Sequence, residues 1–155
     1  MDAIANLPQA TAYPTHLDVE LSTKCNLRCR FCHLSYFKPK AWKQFTLEEF
    51  ESAVGQLLPH LNSITLFNKF EALTCREFLP IFEFVADHGI ETYFSTNGLL
   101  LDDDIIDAIT GRLTYLTVSI TGFTRETYAR NMQYEGFEKV RTNLDKLIAS
   151  KKARG

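Results

Sequence analysis

The 155-residue chain has no apolar run long enough to span a bilayer; the nearest, residues 78–86, is interrupted by Glu83. Its opening stretch, Met1 to Pro14, lacks both a basic leader and an apolar core, so nothing there reads as a secretory signal. Excess charge is small as well. A formal net charge of −2 gives no electrostatic case for nucleic acid or for an anionic membrane. Low-complexity segments and interdomain linkers are absent from the sequence, and its length suits one domain able to bury a core of its own. Cysteine is scarce, four in all, and without a secretory signal these four suit a reducing cytoplasm better than a disulfide framework. With 45% hydrophobic and 23% charged residues the balance is that of an ordinary soluble domain, and twelve phenylalanines imply a well-filled core.

What the chain does have is a local concentration of thiols. Cys25, Cys29 and Cys32 are spaced C-x3-C-x2-C. Three thiolates that close can take one metal centre from three sides. A cubane of four irons held by only three cysteines keeps one iron free of protein ligands, open to a small molecule and to electron transfer into it. Zinc is the alternative, with the adjacent His33 as fourth ligand, although C-x3-C-x2-C-H is not a usual zinc spacing. The odd number of cysteines in the motif argues against disulfides. Cys75, outside the motif, reads as structural; His60 and His88 read as capping or solvent-facing residues at helix ends.

Periodicity organises the remainder. Residues 1–15, with Pro8 and Pro14, read as an irregular leader. From His16 to Ser22 the chain alternates, with Leu17, Val19 and Leu21 against Asp18, Glu20 and Ser22, which predicts a half-buried strand ending at the cysteine loop. Residues 33–45 form a loop rich in aromatic and basic residues, among them Tyr36, Phe37, Lys38 and Trp42. Thr46 and Glu49 make a capping box for a helix with Leu47, Phe50, Val54, Leu57 and Leu58 on one face. A strand is predicted at 63–67. A helix capped by Thr74 and Glu77 follows, and Gly89 ends it. Next come a strand at 91–96, a helix at 102–109 with three acids in its first turn, and a strand at 113–120. Two helices close the chain, at 125–131 and 136–152, the second with Phe137, Val140, Leu144, Leu147 and Ile148 inward. Repeated βα units imply an α/β fold with a parallel sheet, whose functional end is the C-terminal end of its strands.

The cysteine spacing, with Phe31 just before the third cysteine, resembles the cluster motif of the radical S-adenosylmethionine (radical SAM) superfamily, and the order of later elements matches from about residue 16 onward. That resemblance implies a partial (βα) TIM-like barrel, with a [4Fe–4S] cluster on Cys25, Cys29 and Cys32. It implies S-adenosyl-L-methionine (SAM) as the second cofactor, cleaved reductively to methionine and a 5′-deoxyadenosyl radical. It further implies that the backbone of Phe31 lies near the adenine, and that Glu71 helps to hold the amino group of SAM. Asn97 would bond cofactor or substrate, unless it serves only the Asn97-Gly98 turn. Ser119 would point into the barrel near the ribose or carboxylate. The sequence departs from the family's usual Gly-Gly-Glu-Pro, having Lys69, Phe70, Glu71 and Ala72, and Thr121 stands where an Asp is common. Residues 124–128 echo members with a C-terminal cluster-binding extension (SPASM type) that modify peptides.

Four of the family's six βα units fit into the chain, and Gly155 falls where a fifth strand would begin, so a C-terminally incomplete core over residues 16–155 is expected. A donor such as flavodoxin or ferredoxin would supply the electron. No residue identifies the substrate, which by the family's range would be a peptide or a small metabolite. The alternatives are an iron–sulfur protein without catalysis, an inactive fragment, and a zinc-stabilised interaction domain.

Overall fold

The structure, a computed structural model, describes residues 12–37 and 40–154. Most of the expected leader, together with Lys38 and Gly155, lies outside the described residues. Four parallel strands form one sheet in the order β1 (His16–Asp18), β2 (Ser63–Thr65), β3 (Glu91–Thr96), β4 (Tyr115–Val118). Between them run α1 (Leu47–Val54), α2 (Phe78–Asp87) and α3 (Asp103–Ile109), and α4 (Arg125–Met132) and α5 (Phe137–Arg154) follow β4. This is the expected α/β architecture, with strand order following chain order.

Local chemistry accounts for the helix starts. The Thr46 hydroxyl accepts the Glu49 N–H while the Glu49 carboxylate accepts the Thr46 N–H, a complete capping box at α1. Asp102 caps α3 through the Ile105 N–H, and Thr124 with Thr127 forms a second capping box at α4 that the sequence reading did not include. The expected caps of α2 are corrected. Thr74 ends a short 3-10 turn begun by Glu71, and the Glu77 side chain makes no bond to its own helix. Its carboxylate instead accepts the Leu47 N–H at 2.7 Å, tying α2 to the start of α1.

The strands are shorter than their apolar patterns. The alternation of 16–22 continues past β1 as single contacts: Val19 N–H donates to the Thr65 carbonyl, and Ser22 bridges Gln44 antiparallel. Helix α1 likewise stops at Gly55, and Leu58 reaches the core from a separate 3-10 turn, Leu58–His60. The main core joins Phe50, Phe78, Ile81, Phe82 and Phe94 to Leu21, Ile64 and Leu66 between sheet and helices. Each fully buried side chain of this kind contributes about 1.5–3 kcal/mol. A smaller core of Leu27, Leu99, Tyr128, Met132 and Val140 lies under the cysteine loop. On α5, Ile148 is corrected to the outer face at 50% exposure, while Asn143 is buried and donates to the Gly98 carbonyl.

Two glycines with positive φ separate backbone strain from crowding. Gly89, at φ 70°, has nothing within 4 Å of an added Cβ. Gly98, at φ 79°, would bring that Cβ to 3.1 Å from both Val118 Cγ1 and Val140 Cγ1. Gly89→Ala should cost about 1 kcal/mol from conformation alone, and Gly98→Ala clearly more. Urea unfolding of the two variants measures the difference; equal losses would contradict the packing seen around Gly98.

Candidate functional site

The cysteine loop leaves the C-terminal end of the β1 region and is closed locally. Cys32 N–H donates to the Cys29 carbonyl at 2.9 Å, and the Ser35 hydroxyl donates to the same carbonyl at 2.5 Å. From outside, Arg30 N–H donates to the Asn131 carbonyl at the end of α4, and Cys29 Sγ lies 3.7 Å from Met132 Sδ. All three thiols are half-buried and none is in a disulfide.

A cavity of about 230 Å³ opens beside them at the C-terminal ends of β2, β3 and β4. Its walls include Cys25, Cys29, Phe31, Glu71, Asn97 and Ser119, six of the seven residues singled out from sequence. The seventh, Cys32, is not in the wall; its sulfur lies 3.7 Å from His33 Nδ1. Phe31 is 64% exposed, and Ser119 is exposed with its hydroxyl 3.4 Å from that of Ser95. Arg130 sits on the exposed face of α4. Cys75 is buried with its sulfur 3.5 Å from the Phe45 carbonyl, and His88 Nδ1 donates to the Phe84 carbonyl at its helix end.

Glu71 is buried at 4% exposure. Its carboxylate accepts the Thr96 hydroxyl at 2.6 Å, the Asn97 N–H at 2.8 Å and the Leu73 N–H at 3.4 Å. These use three of its roughly four acceptor positions. Burial pushes its pKa up, against the lowering effect of the three donors. Asn97 is equally committed. Its Oδ1 accepts the Leu99 N–H at 3.1 Å, a turn of the kind Asn-Gly favours, and its Nδ2 donates to Asn26 Oδ1 in the cysteine loop at 2.7 Å. Glu71 N–H donates to the Lys24 carbonyl. One hydrogen-bonded chain therefore joins the ends of β2 and β3 to the cysteine loop.

Sequence reasoning missed Asn26, Thr96 and Glu20. The first lies inside the cysteine motif, but its bond spans 71 residues of chain and has no local signature. Glu20, on the polar side of the β1 alternation, accepts the N–H groups of Lys69 at 2.6 Å and Phe70 at 3.3 Å. This carboxylate thus fixes the loop in which Lys69 and Phe70 stand where the resemblance expects glycines. Its Oε1 is buried without a hydrogen-bond partner among the described residues, and burial raises its pKa.

The donor set suits an iron–sulfur centre. Burial raises the pKa of Cys25 and Cys29, the latter to about 11, and each is raised further by the charge of neighbouring thiolates. Three thiolates that repel one another are relieved by a cationic metal core. Among the described residues, no three or more His, Cys, Asp or Glu side chains are grouped to hold a single metal ion. A four-iron core takes each cysteine on a separate iron, and its ligands need not converge on one point. Tyr128, wholly buried in the small core, has its pKa pushed up to about 12 by burial, with a lesser effect from Cys29.

The model of the Radical SAM superfamily matches residues 19–153. The chain belongs to that superfamily. Among its relatives is an uncharacterized protein of Methanocaldococcus jannaschii, 30% identical over 141 residues, covering 88% of this chain and 44% of that protein. The AdoMet-dependent heme synthase of Methanosarcina barkeri is 26% identical over 129 residues, 83% of this chain and 35% of the relative. This radical SAM chain thus spans less than half the length of these curated relatives. Among solved structures, Streptococcus suis SuiB bound to S-adenosylmethionine matches 90% of the chain and 32% of SuiB with a TM-score of 0.75 at 15% identity. AnSMEcpe with bound AdoMet matches 89% of the chain and 42% of its own length, with a TM-score of 0.72 at 21% identity. These likenesses place the four-stranded sheet of the radical SAM chain within a partial TIM barrel fold. No helix among the described residues is long and apolar enough to cross a membrane.

Because the Glu71 pKa is raised in the folded state, its contribution to stability is fully present below the ordinary value near 4.5 and is lost as pH rises through the raised value. Glu71→Gln removes that titration but sets an amide N–H against a backbone N–H donor. The variant should lose about 1–3 kcal/mol at pH 4, and the gap to the parent should narrow between pH 4 and 8. Urea unfolding across that range checks it; a gap that widens with pH would contradict the buried, desolvated carboxylate.

Proposed function

We propose that this chain is the cofactor-bearing core of a radical SAM enzyme, holding a [4Fe–4S] cluster through Cys25, Cys29 and Cys32 and SAM in the adjoining cavity. The observation that carries this reading is the meeting of two cysteines of the motif with Phe31, Glu71, Asn97 and Ser119 around one cavity. When bound, the cluster supplies an electron for reductive cleavage of SAM to methionine and a 5′-deoxyadenosyl radical, which takes hydrogen from the substrate. The chain's own work is placement and exclusion of water. Asn26 and Asn97 fix the cysteine loop against β3. The remaining acceptor position of Glu71 suits an ammonium group, Ser119 and Ser95 offer hydroxyls at the cavity wall, and the Phe31 backbone borders the same space.

A second, larger cleft of about 820 Å³ lies across the cysteine loop, lined in part by Arg28, Arg30 and Tyr36. Its two arginines give an acidic donor such as flavodoxin or ferredoxin a place to meet the loop. A cytoplasmic location agrees with the few, clustered cysteines of the sequence. On this reading the substrate is a peptide or a small metabolite.

Each of Cys25→Ala, Cys29→Ala and Cys32→Ala should abolish uptake of four irons under anaerobic reconstitution and lower 5′-deoxyadenosine formation at least a hundredfold, while Cys75→Ala retains both. Iron and sulfide assay with chromatography of the nucleoside checks this. Full iron content in any of the three motif variants would overturn the ligand assignment.

A further inference from the structure

The small core beneath the cysteine loop contains one polar atom that nothing in it serves. Tyr128 is wholly buried among Leu27, Leu99, Met132 and Val140, and its hydroxyl has no hydrogen-bond partner among the described residues. Cys25 and Cys29 pack on this same core. Tyr128 and Met132 are four residues apart in α4, so they share one face of the helix. That face is turned to the motif, because Met132 Sδ lies 3.7 Å from Cys29 Sγ. Loop and helix are also joined by the bond from Arg30 N–H to the Asn131 carbonyl.

A buried tyrosine hydroxyl normally finds a partner, and leaving one unpaired is destabilising. Phenylalanine would fill the same space without that cost. Met132 Sδ is already approached by the Thr121 hydroxyl at 2.9 Å and by Cys29 Sγ, so it is a poor outlet for a third donor. The acceptors to be expected on this face are the sulfurs of a cluster bound by the motif. We infer that the Tyr128 hydroxyl donates a hydrogen bond to an inorganic sulfide of the bound cluster and thereby helps to set the cluster's reduction potential. The inference rests on the cluster assignment proposed above. A donor to sulfur stabilises the more negative, reduced cluster, so it raises the potential. Tyr128 is in these terms a tuning residue and takes no part in bond cleavage.

The test is Tyr128→Phe in the 155-residue chain, reconstituted anaerobically and titrated with dithionite and redox mediators. At the poise where the parent cluster is half reduced, the reduced-to-oxidised ratio in the variant should fall about threefold to tenfold, the size of one hydrogen bond's net contribution. The metal-free variant should be as stable as the parent or more so, since no protein partner is lost. An unchanged ratio in a variant with full iron content would overturn the inference and assign the hydroxyl to a buried water or to no partner. If the variant does not fold, electron–nuclear double resonance on the parent decides. A strongly coupled proton that vanishes in deuterium oxide at the reduced cluster supports the bond, and its absence overturns it. A parent chain that takes up no iron and sulfide fails at the earlier step and overturns the cluster assignment with it.

Discussion

The site depends on a short run of hydrogen bonds from Asn26 through Asn97 to Glu71. Each strand end alone would carry its loop wherever local sequence sent it. Asn97 prevents this by donating to Asn26 with one end of its amide and closing its own turn with the other. Glu71 then accepts the Asn97 backbone and the Thr96 hydroxyl, while its own N–H reaches the loop at Lys24. Burial makes the bonds that Glu71 accepts from Thr96 and Asn97 consequential, because a buried polar group left without a partner costs more than the bond itself contributes. Glu71 and Asn97, both in the cavity wall, are therefore also the residues that hold the cysteine loop beside it.

Much of this was legible in the sequence, for identifiable reasons. The βα order followed from apolar periodicity and from capping signals such as Thr46 with Glu49, which are local in the chain. The three thiols stand out from their spacing, since Cys25, Cys29 and Cys32 lie within eight residues. What stayed hidden is non-local. Asn26 pairs across 71 residues, Glu77 caps the start of a different helix from its own, and Glu20 supports a loop 49 residues away. No period or spacing encodes such pairs. Ile148 shows the same limit on a helix: a position on the apolar stripe is buried only where a neighbouring element covers it, and here none of the described residues does.

The segment from Lys69 to Ala72 shows how a motif can change without its surroundings being lost. Two glycines normally allow a backbone to approach a ligand closely. Here larger side chains stand in their place, and the Glu20 carboxylate takes the N–H groups of Lys69 and Phe70. Glu71 keeps its place in the cavity wall. The fold itself is shared by proteins of differing chemistry, so the argument for function stands on these side chains around the thiols.

Electron paramagnetic resonance of the anaerobically reconstituted, dithionite-reduced chain, recorded with and without SAM, tests the central claim most directly. The account predicts a [4Fe–4S]⁺ signal whose shape changes when SAM is added, because a cluster held by three cysteines would leave one iron open to SAM. A signal that SAM leaves untouched would contradict the proposed cofactor site, and no cluster signal at all would contradict the assignment of the three cysteines.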